Sequence, residues 1–248
     1  MTGIADDTGS WLRRFHPAAA PGRRLVCFPH AGGAASYYFP MSKALAPDIE
    51  VLAVQYPGRQ DRRAEPCLNS VEEMAERALD GIRPWADEAP LTLFGHSMGA
   101  SVAFEVARRL ESGGTPPHAL FVSGRAGPTR TRNEGVHALG DAEFVTALAT
   151  LDEGTAAVLA NEELLRMAMP SLRADYRAAE TYTYRPGTDV SCPVVAMVGT
   201  DDPKVTAEEA DTWRERTSGP FELHTFPGAH FYLNDEAANV RRLIHQHM

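Results

Sequence analysis

The segment Gly95-His96-Ser97-Met98-Gly99 closes an apolar run, Leu91–Phe94, and opens a stretch of helical periodicity, Met98–Ser112. A chain that leaves a strand and enters a helix across one residue holds that residue in strained backbone. Side chains two positions away on either side would collide, and glycine removes them. The pattern predicts Ser97 as an exposed nucleophile. It also predicts the Met98 amide, at the positive start of a helix, as a donor to a developing oxyanion.

A serine hydroxyl is a weak nucleophile until a base takes its proton. Among nine histidines, His230 sits between the last strand-like run, Phe221–Phe226, and the final helical pattern, Asp235–His247. That places it at the sheet edge expected for Ser97. His224 falls within a strand and His245 and His247 on a helix, where solvated surface is the plainer reading. His96 occupies the elbow position beside the serine and is expected to point away from it. The base in turn needs an acid to hold its tautomer. The segment after His118–Ser123 offers Arg125 and no carboxylate, whereas Val194–Val198 is followed by Gly199-Thr200-Asp201-Asp202-Pro203. Asp202 is favoured in the order Ser, Asp, His. Asp201 is the alternative, otherwise a turn or capping residue, and Asp175 is a more remote one. A second oxyanion donor is expected in the loop after an earlier strand, and the Ala31 amide in Phe28-Pro29-His30-Ala31-Gly32-Gly33 is the candidate. The spacing of these glycines is not that of a phosphate-binding loop.

These groups need a scaffold that brings strand ends to one edge. Continuous apolar runs at 24–28, 50–54, 91–94, 118–123, 194–198 and 221–226 alternate with helical patterns at 36–46, 70–86, 98–112, 205–217 and 235–247. Strands without polar alternation, spaced by helices, predict a mostly parallel open α/β sheet with helices on both faces. About seventy residues separate the fourth and fifth of these runs, far more than a crossover requires. The patterns at 141–148 and 161–181 make 128–189 a helical insertion, expected as a lid within a single domain over residues 1–248. Its apolar stretches, Val145–Leu151 and Glu163–Leu172, fit either an acyl channel or plain packing on the body.

A net charge of −9 argues against nucleic acid, which relies on excess Lys and Arg. The chain lacks both an apolar run of membrane-spanning length and a secretory start, so no membrane association and a cytoplasmic location are expected. Cys27, Cys67 and Cys192 lack metal or redox spacing. Neither metal nor cofactor is expected, and monomer is the default. Arg59, Arg62, Arg63, Arg125, Arg130 and Arg132 are candidates for a basic rim, ordinary surface charge being the alternative.

Taken together, FPHAGG (28–33), QYPGR (55–59), GHSMGA (95–100), GTDDP (199–203) and FPGAHFYL (226–233) resemble, in order and spacing, the type II thioesterases. These are stand-alone α/β-hydrolases that accompany polyketide and non-ribosomal peptide synthases. The resemblance spans about Arg24 to Met248. It implies hydrolysis of acyl thioesters from the phosphopantetheine arm of acyl or peptidyl carrier proteins, clearing aberrant or stalled chains. It also implies a triad of Ser97, Asp202 and His230, with Ala31 and Met98 as oxyanion amides. A free-standing esterase without carrier recognition is the alternative.

Overall fold

A computed structural model describes residues 8–18, 22–130, 134–150 and 159–248. Its centre is a seven-stranded sheet in the order β1-β3-β2-β4-β5-β6-β7. The strands are β1 (Leu12–Arg13), β2 (Arg24–Phe28), β3 (Glu50–Val54), β4 (Thr92–His96), β5 (Ala119–Ser123), β6 (Val194–Gly199) and β7 (Phe221–Phe226). All pairings are parallel except β1 with β3. The chain runs outward from β2 to β3, then crosses back to begin β4 on the other side of β2. Loops leaving β2 and β4 diverge at that reversal, and open α/β sheets bind ligands beyond the carboxyl ends there.

Successive residues along each strand feed opposite cores. Val26, Leu93, Leu120 and Val194 face one, with Met74 and Ile82 of α3 (Val71–Ala86) and Phe104 of α4 (Met98–Ser112). Leu25, Phe94, Phe121 and Val195 face the other, with Leu45 of α2 (Phe39–Leu45) and Val240 and Ile244 of α8 (Ala237–Gln246). This explains why the central strands read as unbroken apolar runs: β3, β4, β5 and β6 are buried at every position. The outer strand β7 is buried only at Phe226, its other positions being part-exposed or exposed.

Between β5 and β6 lie a 3-10 turn at Val136–Ala138, then α5 (Asp141–Ala149) and α6 (Glu162–Thr181). They share a small core of Val136, Phe144, Leu148, Leu159 and Leu172. Plain packing therefore describes most of the apolar stretches of the insertion, while Leu164 and Met167 are exposed. Leu151 and Arg132 lie outside the described residues.

Two local departures from the pattern have physical causes. The helix expected over 36–46 begins as a 3-10 turn at Ala35–Tyr38, with Pro40 entering α2 in its first turn. That expected over 205–217 divides into α7 (Ala207–Asp211), started by the Thr206–Glu209 capping box, and a 3-10 turn at Thr212–Arg216. The short α1 (Thr8–Trp11) and β1 have too few residues to show a period and were not anticipated.

Candidate active site

Ser97 sits between β4 and α4 with φ 55° and ψ −120°, a left-handed φ that few non-glycine residues adopt. The flanking glycines are obligatory. A Cβ on Gly95 would lie 2.2 Å from the Gly99 carbonyl oxygen, and one on Gly99 would lie 2.1 Å from that of Phe28. The Ser97 amide donates to Ser123 O at 2.8 Å, locking the turn to β5.

His230 arrives from the loop after β7. A Cβ on Gly199 would lie 2.4 Å from the carbonyl oxygens of Gly228 and Ala229, so only glycine lets that loop fold over the end of β6. The Asp201 amide donates to Gly228 O at 3.0 Å, binding the two loops together. His230 Nδ1 lies 2.8 and 3.0 Å from the two carboxylate oxygens of Asp202. Both side chains are almost wholly buried, at 4% and 0% exposure, which shields the pair from water. Asp201 is exposed and its carboxylate accepts from Thr200 Oγ1. Asp175 is on α6 and engages Arg59 instead. Of the three carboxylates weighed, the structure pairs Asp202 with the imidazole.

Ser97 and His230 line one cavity, with Ala31 from the loop after β2, Gly124 and Arg125 from the end of β5, and Tyr176 and Glu180 from α6. Among the described residues no hydrogen bond joins the Ser97 hydroxyl to His230, a contact that commonly tightens only with substrate bound. His30 through Gly33 forms a tight turn closed by Gly33 N–H to His30 O at 2.9 Å, with Gly32 at φ +75°. Neither the Ala31 nor the Met98 amide has an acceptor among the described residues. Both donors are thus unspent.

Charged side chains form part of the cavity lining. Lys204 pairs with Glu134 at 2.5 Å, and Glu180 accepts from the amides of Val136 and His137 and from the His137 ring. Arg125 donates to Ala179 O at 2.8 Å, and burial lowers its pKa. Arg59 and Arg62 do not form a rim, because both are buried and already bonded. Arg62 forks onto Glu65, and Arg59 onto Asp175. Arg63 and Arg130 are exposed, and Arg130 reaches the cavity.

Two buried features were missed by the sequence reading. His96 is not idle: its Nδ1 lies 3.0 Å from Ser123 Oγ, itself 2.6 Å from the Tyr232 hydroxyl, and its ring packs 5.0 Å from that of His230. Burial, followed by the neighbouring His230 and His30 rings, drives the His96 pKa well below its ordinary value, so it sits as a neutral ring beside that of His230. The second is the Asp175–Arg59 pair. Its signal was available, since Asp175 interrupts the buried stripe Ser171, Leu172, Ala178 of α6 with a charge.

A thioesterase-domain family model matches residues 23–248. Thioesterase PikA5 of Streptomyces venezuelae is 51% identical over 243 residues, covering 98% of this chain and 86% of that protein. The solved type II thioesterase BorB from the borrelidin biosynthetic cluster superposes with a TM-score of 0.90 at 49% identity, covering 99% of each chain. RedJ thioesterase from the prodiginine pathway of Streptomyces coelicolor gives 0.85 at 33% identity, covering 94% of this chain and 91% of that one. Among the described residues no helix is long and apolar enough to cross a membrane.

Proposed function

The chain belongs to the thioesterase family, and from that premise we propose that it is a type II editing thioesterase. It hydrolyses acyl groups from the phosphopantetheine thiol of an acyl or peptidyl carrier protein in a polyketide or non-ribosomal peptide pathway. The observation that carries this reading is that His230, in its buried pair with Asp202, shares one cavity with a strained Ser97 and with Ala31.

Ser97 Oγ attacks the thioester carbonyl while His230 takes its proton, and the oxyanion is held by the Ala31 and Met98 amides. Collapse breaks the carbon–sulfur bond, and His230 returns the proton to the leaving pantetheine thiolate. Water, activated by the same imidazole, then hydrolyses the acyl-serine. Asp202 holds Nδ1 protonated, so that Nε2 is the basic nitrogen at the start of each half-reaction. The insertion acts as a lid, a role supported by Tyr176, Ala179 and Glu180 of α6 reaching the cavity that Ser97 lines.

The test follows acyl release by intact-protein mass spectrometry from an acylated carrier protein and from the matched free acyl-pantetheine, with Ser97→Ala as blank. The expected result is a higher kcat/KM on the carrier and a loss of several orders of magnitude in Ser97→Ala. Equal rates on the two substrates would remove carrier recognition and leave a small-molecule hydrolase.

A further inference from the structure

The insertion and the candidate oxyanion loop meet through one buried ion pair. Arg59 leaves the turn after β3, Asp175 comes from the middle of α6, and their side chains are 5% and 0% exposed. The contact is a fork, with Nη1 to Oδ2 at 2.5 Å and Nη2 to Oδ1 at 2.9 Å. Both partners also reach the loop backbone. Asp175 Oδ2 accepts from the Gly32 amide at 2.7 Å, and Arg59 Nη1 donates to Gly33 O at 3.2 Å. Leu172, one turn earlier on α6, covers the same glycine so closely that a Cβ there would lie 2.4 Å from its Cδ2.

The turn is therefore held at three points around Ala31: the Gly32 amide, the Gly33 carbonyl and the Gly33–His30 turn bond. Among the described residues the Ala31 N–H has no acceptor. Burial alone works against the Arg59 charge, but the adjoining Asp175 carboxylate more than offsets it and raises the pKa, so the guanidinium stays charged. Replacing a buried ion pair by apolar side chains is often neutral for stability, whereas a bidentate Arg–carboxylate fork adds directional geometry.

We propose that Asp175 and Arg59 are positioning residues: a clamp by which the insertion helix holds the oxyanion loop so that the Ala31 amide aims at the reacting carbonyl. The proposal rests on the thioesterase reading above. It makes transition-state stabilisation conditional on α6 being seated on the body.

The test compares Asp175→Asn, Asp175→Ala and Arg59→Lys with the parent for kcat and KM on an acyl-carrier thioester. It adds the affinity of an alkyl boronic acid, which forms a tetrahedral adduct on the serine. Losing one oxyanion donor typically lowers rate ~10²–10³-fold. Asp175→Ala is expected to lower kcat toward that range and Asp175→Asn less, with KM changed by under about threefold. Boronate affinity should fall by the same factor as kcat/KM. A folded variant with parental kcat, or with reduced kcat/KM but parental boronate affinity, would overturn the clamp. So would loss of folding in all three, which would make the pair a stability element. A parent protein inactive on thioesters, or an active Ser97→Ala, would strike the thioesterase reading instead.

A separate feature on the far edge of the sheet carries a second inference. Glu222 and His224 are two residues apart on the edge strand β7 and share a face, and His247 follows α8. His224 Nε2 lies 2.9 Å and His247 Nε2 3.4 Å from the same Glu222 Oε2. Phe121 meets the His247 ring edge-on at 5.9 Å. Donor atoms around a tetrahedral zinc with bonds of 2.0–2.1 Å are about 3.3 Å apart, so these three can close on one ion with small side-chain shifts. The geometry points to a two-histidine, one-carboxylate site for a zinc-class divalent metal, water filling the fourth position and the ion tying β7 to the end of α8. Calorimetry with zinc chloride at pH 7.5 should give one site per chain in the micromolar range, together with a raised Tm. Both effects should vanish in His224→Ala while thioesterase activity persists. Absence of binding in the parent, or binding undiminished in His224→Ala, would overturn it.

Discussion

Replacing Gly99 by alanine tests whether the nucleophile turn and the oxyanion loop are set by one backbone contact. The new Cβ would fall 2.1 Å from Phe28 O and 2.6 Å from Pro29 O. Carbon–oxygen contacts rarely close below about 3.3 Å, so α4 and the end of β2 must separate by about 1.2 Å. No flexible side chain can absorb this, because both obstructing atoms belong to the backbone. Overpacking of this kind costs about 1–3 kcal/mol, and the rigid obstacle argues for the upper end, about 3 kcal/mol. The displacement also parts the two candidate donors, since Met98 moves with α4 and Ala31 follows Phe28 and Pro29. Misplacement by about 1 Å at a reacting centre can lower rate ~10²-fold. Urea unfolding and kcat/KM on an acyl-pantetheine would be measured for Gly99→Ala beside Gly22→Ala, whose new Cβ meets nothing within 4 Å. A Gly99→Ala protein with stability within about 0.5 kcal/mol of the parent and parental kcat/KM would refute the steric argument.

Asp202→Asn should lower kcat by orders of magnitude, as loss of a triad acid does, while Asp201→Asn should leave it within about twofold because its carboxylate faces solvent. Equal losses in a thioester assay would count against the pairing. His96 makes stability depend on pH in a defined direction. Burial lowers its pKa from the ordinary 6.5, so below that pH the unfolded chain takes a proton that the folded chain refuses. Stability should therefore fall as pH drops below 6.5, by about 1.4 kcal/mol per unit at most. His96→Gln should remove about 1 kcal/mol of the change seen between pH 7 and 5.5 in urea titrations; parallel curves would refute the assignment. Leu120→Ala, at a fully buried site on the central strand β5, should destabilise by about 2–5 kcal/mol in the same measurement.

The amino-acid sequence alone determined the strand and helix alternation and the elbow around Ser97. The reason is local: an unbroken apolar run reports burial on both faces, and glycines two residues either side of a serine report a turn that excludes side chains. His230 and the Asp201–Asp202 doublet were also legible, since residues just past a parallel strand must lie at the carboxyl edge. Which aspartate meets the imidazole was decided by the fold, through the Gly199 contact that lays the His230 loop over β6 and turns Asp202 inward while Asp201 faces water. From sequence Arg59 and Arg62 are candidates for a basic rim or for ordinary surface charge, and burial is not visible there because an arginine's partner lies anywhere in the chain. Asp175 is 116 residues from Arg59, beyond any local period. Likewise, nothing near Gly32 in sequence reveals that its amide is held from α6, 143 residues away. Local chemistry writes the candidate nucleophile, base and turn into short motifs; the long-range contacts around them exist only once the sheet has assembled and the insertion has folded back across it.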